Sequence, residues 1–108
     1  MGKMSKTKGK VGEREVAALL REYGFVDAKR GQQFAGGGDS PDVAGLPGFH
    51  IEVKRCETFS LYAALEQAVG DADPRKIPIV FHRRNTKPWT VILRADDFLY
   101  LLNGETSL

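Results

Sequence analysis

The chain is poor in the residues that mark several protein classes. Cys56 is the only cysteine, which excludes an internal disulfide and sets the expectation of a reducing, intracellular setting. His50 and His82 are the only histidines. Neither has a Cys or His partner at metal-motif spacing, so structural zinc is not indicated. No apolar run approaches the roughly 20 residues that cross a bilayer, and no apolar segment of the signal-peptide kind lies near residue 1. These absences set the expectation of a cytoplasmic protein with no membrane partner. The glycine-rich stretch GQQFAGGGDSP, residues 31–41, lacks the lysine and Ser/Thr of a phosphate-cradling P-loop and is read as a polar loop.

What is present fits one domain. The chain has 108 residues, 42% hydrophobic and 28% charged, an ordinary globular composition. Its net charge of +2 conceals a split. Residues 1–10 carry Lys3, Lys6, Lys8 and Lys10 and no acid; without them, 12 basic residues face 14 acidic ones. We therefore expect a flexible basic tail over residues 1–10 and a single domain over residues 11–108. A basic terminus serves either as a nucleic-acid arm or as a solubilising end, and four lysines alone do not decide between them.

Apolar spacing gives the element order. Val16, Leu19, Leu20 and Tyr23 recur at helical spacing, so a helix is expected over residues 11–23, with Gly24 at its left-handed end and Phe25 following. Residues 25–30, 43–46 and 49–55 read as strands. Ser60 is placed as the cap of a second helix whose inner stripe is Leu61, Ala64, Leu65, Ala68, Val69 and Ala72, closed by Pro74. Residues 77–82 and 89–93 read as strands, and residues 96–102 as a last helix. The order α-β-β-β-α-β-β-α describes an α/β or α+β fold, a sheet with helices packed on it.

The most informative stretch is PDVAGLPGFHIEVKR, residues 41–55. Alternation along the strand puts Phe49, Ile51 and Val53 on one face and His50, Glu52 and Lys54 on the other. An isolated Glu-x-Lys triplet is most simply a solvated strand face. Asp42 changes that reading if the connection through Pro47-Gly48 is a wide loop, because Asp42 then stands opposite Glu52. A tight two-residue turn would turn it away. Pro-Gly favours a type II turn, a poor match to hairpin twist, which argues for the wide loop. In that register two carboxylates converge, and both stay ionised comfortably only around a cation. Carboxylate oxygens plus water suit Mg²⁺, and Lys54 alongside could orient water or steady a phosphate. Glu13 leans toward the buried stripe of the first helix. Its simplest reading is an acid in the helix's first turn favouring the macrodipole.

Glu13-Arg14 with Gly24-Phe25, Pro41-Asp42, Glu52-Val53-Lys54 and Glu66-Gln67-Ala68, in that order, resemble the PD-(D/E)XK nucleases, in particular archaeal-type and phage Holliday junction resolvases. The resemblance spans roughly residues 9–95. It implies a restriction-endonuclease-like mixed β-sheet flanked by helices, and a Mg²⁺-dependent endonuclease in which Mn²⁺ can substitute. By resemblance, Asp42, Glu52, the Val53 carbonyl and Glu13 hold the metal, Lys54 positions the attacking water, and Gln67 supports the site; the helical wheel is neutral on Gln67. It also implies DNA, four-way junctions above all, as substrate, 5′-phosphate and 3′-hydroxyl products, and a homodimer. The loop at residues 31–41 departs from many resolvases in length or composition. DNA-contact candidates are Lys3, Lys6, Lys8, Lys10, Arg30, Arg55, Arg83, Arg84 and Lys87, each of which taken singly is more simply read as a solvated charge. Phe98, Leu99, Tyr100, Leu101 and Leu102 crowd one short helix and suit either an interface or core packing. Alternative readings are a nuclease for flaps, nicks or duplex, and a DNA-binding module without activity.

Overall fold

The computed structural model describes residues 2–31 and 40–106, with side chains described for residues 9–31 and 40–104. The elements are α1 (Gly2–Glu22), β1 (Lys29–Arg30), β2 (Val43–Ala44), β3 (Phe49–Arg55), α2 (Leu61–Asp71), β4 (Ile77–Arg83), β5 (Thr90–Ile92) and α3 (Ala95–Thr106). This is the expected order. The strands form one five-stranded sheet in sequence order β1-β2-β3-β4-β5, antiparallel except for the parallel β3–β4 pair. That parallel pair needs a crossover, and α2 supplies it.

The two faces of β3 decide where everything else sits. Ile51 pairs with Val43 on one side and Ile79 on the other. These residues pack with Val53, Phe81 and the Val16, Ala17 and Leu20 row of α1 into the main core. Complete burial of Ile51, Val16 and Val43 removes about 1.5–3 kcal/mol worth of apolar surface from water per side chain. The opposite face meets α2 through the small residues Ala64 and Ala68, which close on Val80. Small side chains bring α2 down onto the sheet, next to the polar row of β3.

Several boundaries differ from the sequence reading. The helical backbone of α1 begins at Gly2, so the residues read as a basic tail are continuous with it; the side chains of Lys3, Lys6 and Lys8 lie outside the described residues. Its other end matches: Gly24 has φ +97°, and Phe25 N–H reaches the Leu20 carbonyl while Gly24 N–H reaches that of Arg21. These are the paired bonds of a Schellman cap. Tyr23, placed in the buried stripe, is instead 77% exposed, because the helix ends at Glu22 and turns it outward. On α2, only Ala64 and Ala68 are buried and Leu65 is half-buried, while Leu61 and Val69 are exposed. The helix lies on a narrow strip of sheet, so its inner face is two residues wide. Ser60 occupies the cap position without a side-chain bond to the helix. Residues 32–39, most of the glycine-rich stretch, lie outside the described residues.

Candidate active site

The loop between β2 and β3 fixes the register. Phe49 N–H reaches the Leu46 carbonyl, and Gly48 has φ +84° after Pro47, the arrangement of a type II turn. This turn sits inside a wider connection whose first residue, Gly45, has φ +95° and lies so close to the Asp27 carbonyl that no Cβ fits there. Val43 consequently pairs with Ile51, and one step further along Asp42 faces Glu52. Asp42 is held twice: its N–H donates to the Ile51 carbonyl at 2.8 Å, and its Oδ2 accepts the Val53 N–H at 2.8 Å. Because a strand residue's N–H and C=O share one edge, the Val53 carbonyl faces the same edge as Asp42.

Glu52 is 3% exposed and His50 is 2% exposed. His50 Nε2 lies 2.8 Å from Glu52 Oε1. The Glu52 carboxyl is pushed up to about 9, first by burial, then by the negative charge of Asp42 and a hydrogen bond to it, and further by the charge of Asp71; Lys54 pulls the other way. A buried acid pressed against a second carboxylate favours a proton or a cation between the two. That is the condition a hard divalent cation meets, so Asp42 and Glu52 suit such an ion by chemistry as well as placement. Lys54 Nζ donates to Gln67 Oε1 at 3.1 Å, which ties the strand's ammonium group to α2. An open cavity of about 250 Å³ adjoins Lys54 and Gln67, walled also by Phe59, Ser60 and Ala63.

Glu13 is placed differently from its expected partners. It projects from α1, which packs on the face of β3 opposite Glu52, and its Oε1 accepts from Arg30 Nε at 3.0 Å. Among the described residues, no group of three His, Cys, Asp or Glu side chains stands close enough to hold a metal. The convergence is thus the pair Asp42–Glu52 with Lys54 and Gln67 beside it. His50, read from the sequence as sharing the polar face with Glu52 and within reach of the site, contacts Glu52 directly. Asp71 was passed over by the site reading; it follows Gln67 by four positions on α2, the spacing that stacks side chains on one helix face.

The basic candidates divide similarly. Arg55 and Arg83 pair in register at the ends of β3 and β4, and both reach Oε1 of Glu15, at 3.5 and 3.1 Å. One acid between two guanidinium groups leaves excess positive charge there. Arg83 also stands 5.8 Å over the Trp89 ring, and Trp89 packs against the main core. Arg84, Lys87 and Lys10 are exposed. His82 is structural: its ring stacks on Phe59 at 3.8 Å and bonds the Cys56 carbonyl at 3.0 Å. Cys56, the residue after β3, is half-buried.

A Pro-Asp pair leading into one strand and a Glu-x-Lys triplet on the neighbouring strand of a mixed sheet, with helices on both faces, define the PD-(D/E)XK nuclease class. Within it, residues 4–106 match the family described as "Phage putative PDDEXK endonuclease", and the chain belongs to that family. No curated protein and no solved structure matches the chain.

Proposed function

We propose that this endonuclease-family chain hydrolyses DNA phosphodiesters at the Asp42–Glu52–Lys54 site, with Mg²⁺ as the natural cation and Mn²⁺ as a substitute. The observation that carries the reading is the register that brings Asp42 against a buried Glu52. Asp42 and Glu52 would hold the ion, with the Val53 carbonyl on the same strand edge. The bound cation would supply Lewis-acid stabilisation of charge developing on the phosphate. Lys54, steadied by Gln67, presents an ammonium group beside that position to orient water and offset phosphate charge. Glu13 would join only by leaving Arg30, so its part in the site is conditional on that exchange. The Arg55–Arg83 pair, Arg84, Lys87 and the lysines of residues 3–10 would hold flanking phosphates.

The preferred substrate in this reading is a four-way junction cut by a homodimer. Support for pairing comes from α3 and β5, where Phe98, Leu99, Tyr100, Leu102 and Val91 are all exposed. Exposed apolar side chains in this number on one helix and the strand before it are what an interaction surface requires. The test is cleavage of a synthetic four-way junction beside matched linear duplex, flap and nicked DNA, in Mg²⁺, in Ca²⁺ and with chelator. Junction cutting in Mg²⁺ that chelation abolishes is expected. Equal rates on junction and duplex would leave a nuclease of broader substrate range, and binding without cutting in any metal would leave a DNA-binding module.

A further inference from the structure

We propose that His50 is a positioning residue of the site: it clamps one oxygen of Glu52 so that the other stays turned toward Asp42 and the cation position. The inference rests on the metal-dependent reading of Asp42 and Glu52. His50 and Glu52 are two residues apart on β3 and therefore project from the same face. Both are almost wholly buried, and His50 Nε2 meets Glu52 Oε1 at 2.8 Å. On the other side Asp42 stands opposite Glu52 in the strand register, its own Oδ2 fixed by the Val53 N–H. The carboxyl group of Glu52 is thus held at one oxygen by His50 and lies beside a fixed Asp42. A Glu side chain has several rotatable bonds, and ordering it costs conformational entropy. A clamp already present in the folded chain means that metal binding need not meet that cost. Imidazole-to-carboxylate contacts behind metal ligands act in this way, and their loss typically weakens metal affinity or activity tenfold to a hundredfold.

The chemistry separates a positioning role from a packing role. His50→Gln keeps an N–H donor near the Nε2 position. His50→Phe keeps a ring of similar size and removes the donor. Cleavage rate and heat of binding are followed as Mn²⁺ or Mg²⁺ is titrated, with melting temperature as a control for folding. For His50→Phe, the metal concentration giving half-maximal cleavage is expected to rise about tenfold or more, the rate at saturating metal staying within about threefold. His50→Gln is expected to return most of that loss. Unchanged metal dependence in a folded His50→Phe overturns the inference. If His50→Phe does not fold, the wild-type chain decides it: with ¹⁵N-labelled imidazoles, the His50 Nε2 resonance must shift on adding metal while that of His82 stays. No shift at His50 while calorimetry reports metal binding also overturns it. A wild-type chain that neither binds metal nor cuts DNA would instead remove the reading of the site on which the inference stands.

Discussion

At the scale of single residues, Glu52 dominates the electrostatics. Its folded-state value of about 9 lies far above its ordinary 4.5, so between those values the folded chain holds a proton that the unfolded chain has released. Stability of the metal-free protein therefore falls as pH rises from about 4.5 to about 9. Melting temperatures measured across that interval should decline in the wild type and flatten in Glu52→Gln; parallel curves would show that another group is responsible. A divalent cation needs the ionised carboxylate, so its binding should strengthen over the same rise in pH and release a proton. Alternation along β3 made the shared face of Glu52 and Lys54 legible in the sequence. The register of Asp42 stood open between a wide loop and a tight turn, which the Gly45–Gly48 connection decides. His50 sat on the same predicted face, but a histidine on a strand does not announce its partner. Asp71 was hidden differently: whether a polar helix face meets the sheet or solvent depends on how α2 docks, which Ala64 and Ala68 decide.

At the scale of elements, close approach of α1 to β3 is set by Gly12. A Cβ there would stand 3.0 Å from that of Arg55 and 3.3 Å from Val53 Cγ1. Gly12→Val should therefore cost about 1–3 kcal/mol by overpacking, read as a shift in denaturant midpoint. A midpoint equal to wild type would mean that α1 can withdraw without loss. Strand and helix types were readable because the periodicities of β3, β4 and α1 are clear. The ends of elements were less so. Tyr23 continues the helical spacing of Val16 and Leu20, yet the Schellman turn releases it to solvent. The exposed Leu61 and Val69 follow the apolar stripe of α2 but overhang the strip of sheet beneath it. Spacing reports which residues share a face, not how wide the opposing surface is.

At the scale of the whole molecule, α3 and β5 expose Phe98, Leu99, Tyr100, Leu102 and Val91, and residues 3–10 hold four lysines and no acid. Leu99→Glu together with Leu102→Glu should shift sedimentation from dimer toward monomer without lowering melting temperature by more than a few degrees. A wild type that is monomeric at every concentration would retire the interface. DNA affinity should fall with salt, and deleting residues 2–10 should flatten that dependence; an unaltered slope would assign the contacts to Arg55, Arg83, Arg84 and Lys87 alone. Substrate shape was the least legible property, since no motif in the sequence encodes it. The most direct measurement is single-turnover DNA cleavage in Mg²⁺ by Asp42→Asn and Glu52→Gln, with DNA binding followed in parallel. Loss of several kcal/mol of charge stabilisation predicts rates at least about a hundredfold lower with binding retained. Cleavage at the wild-type rate by either variant would contradict the site.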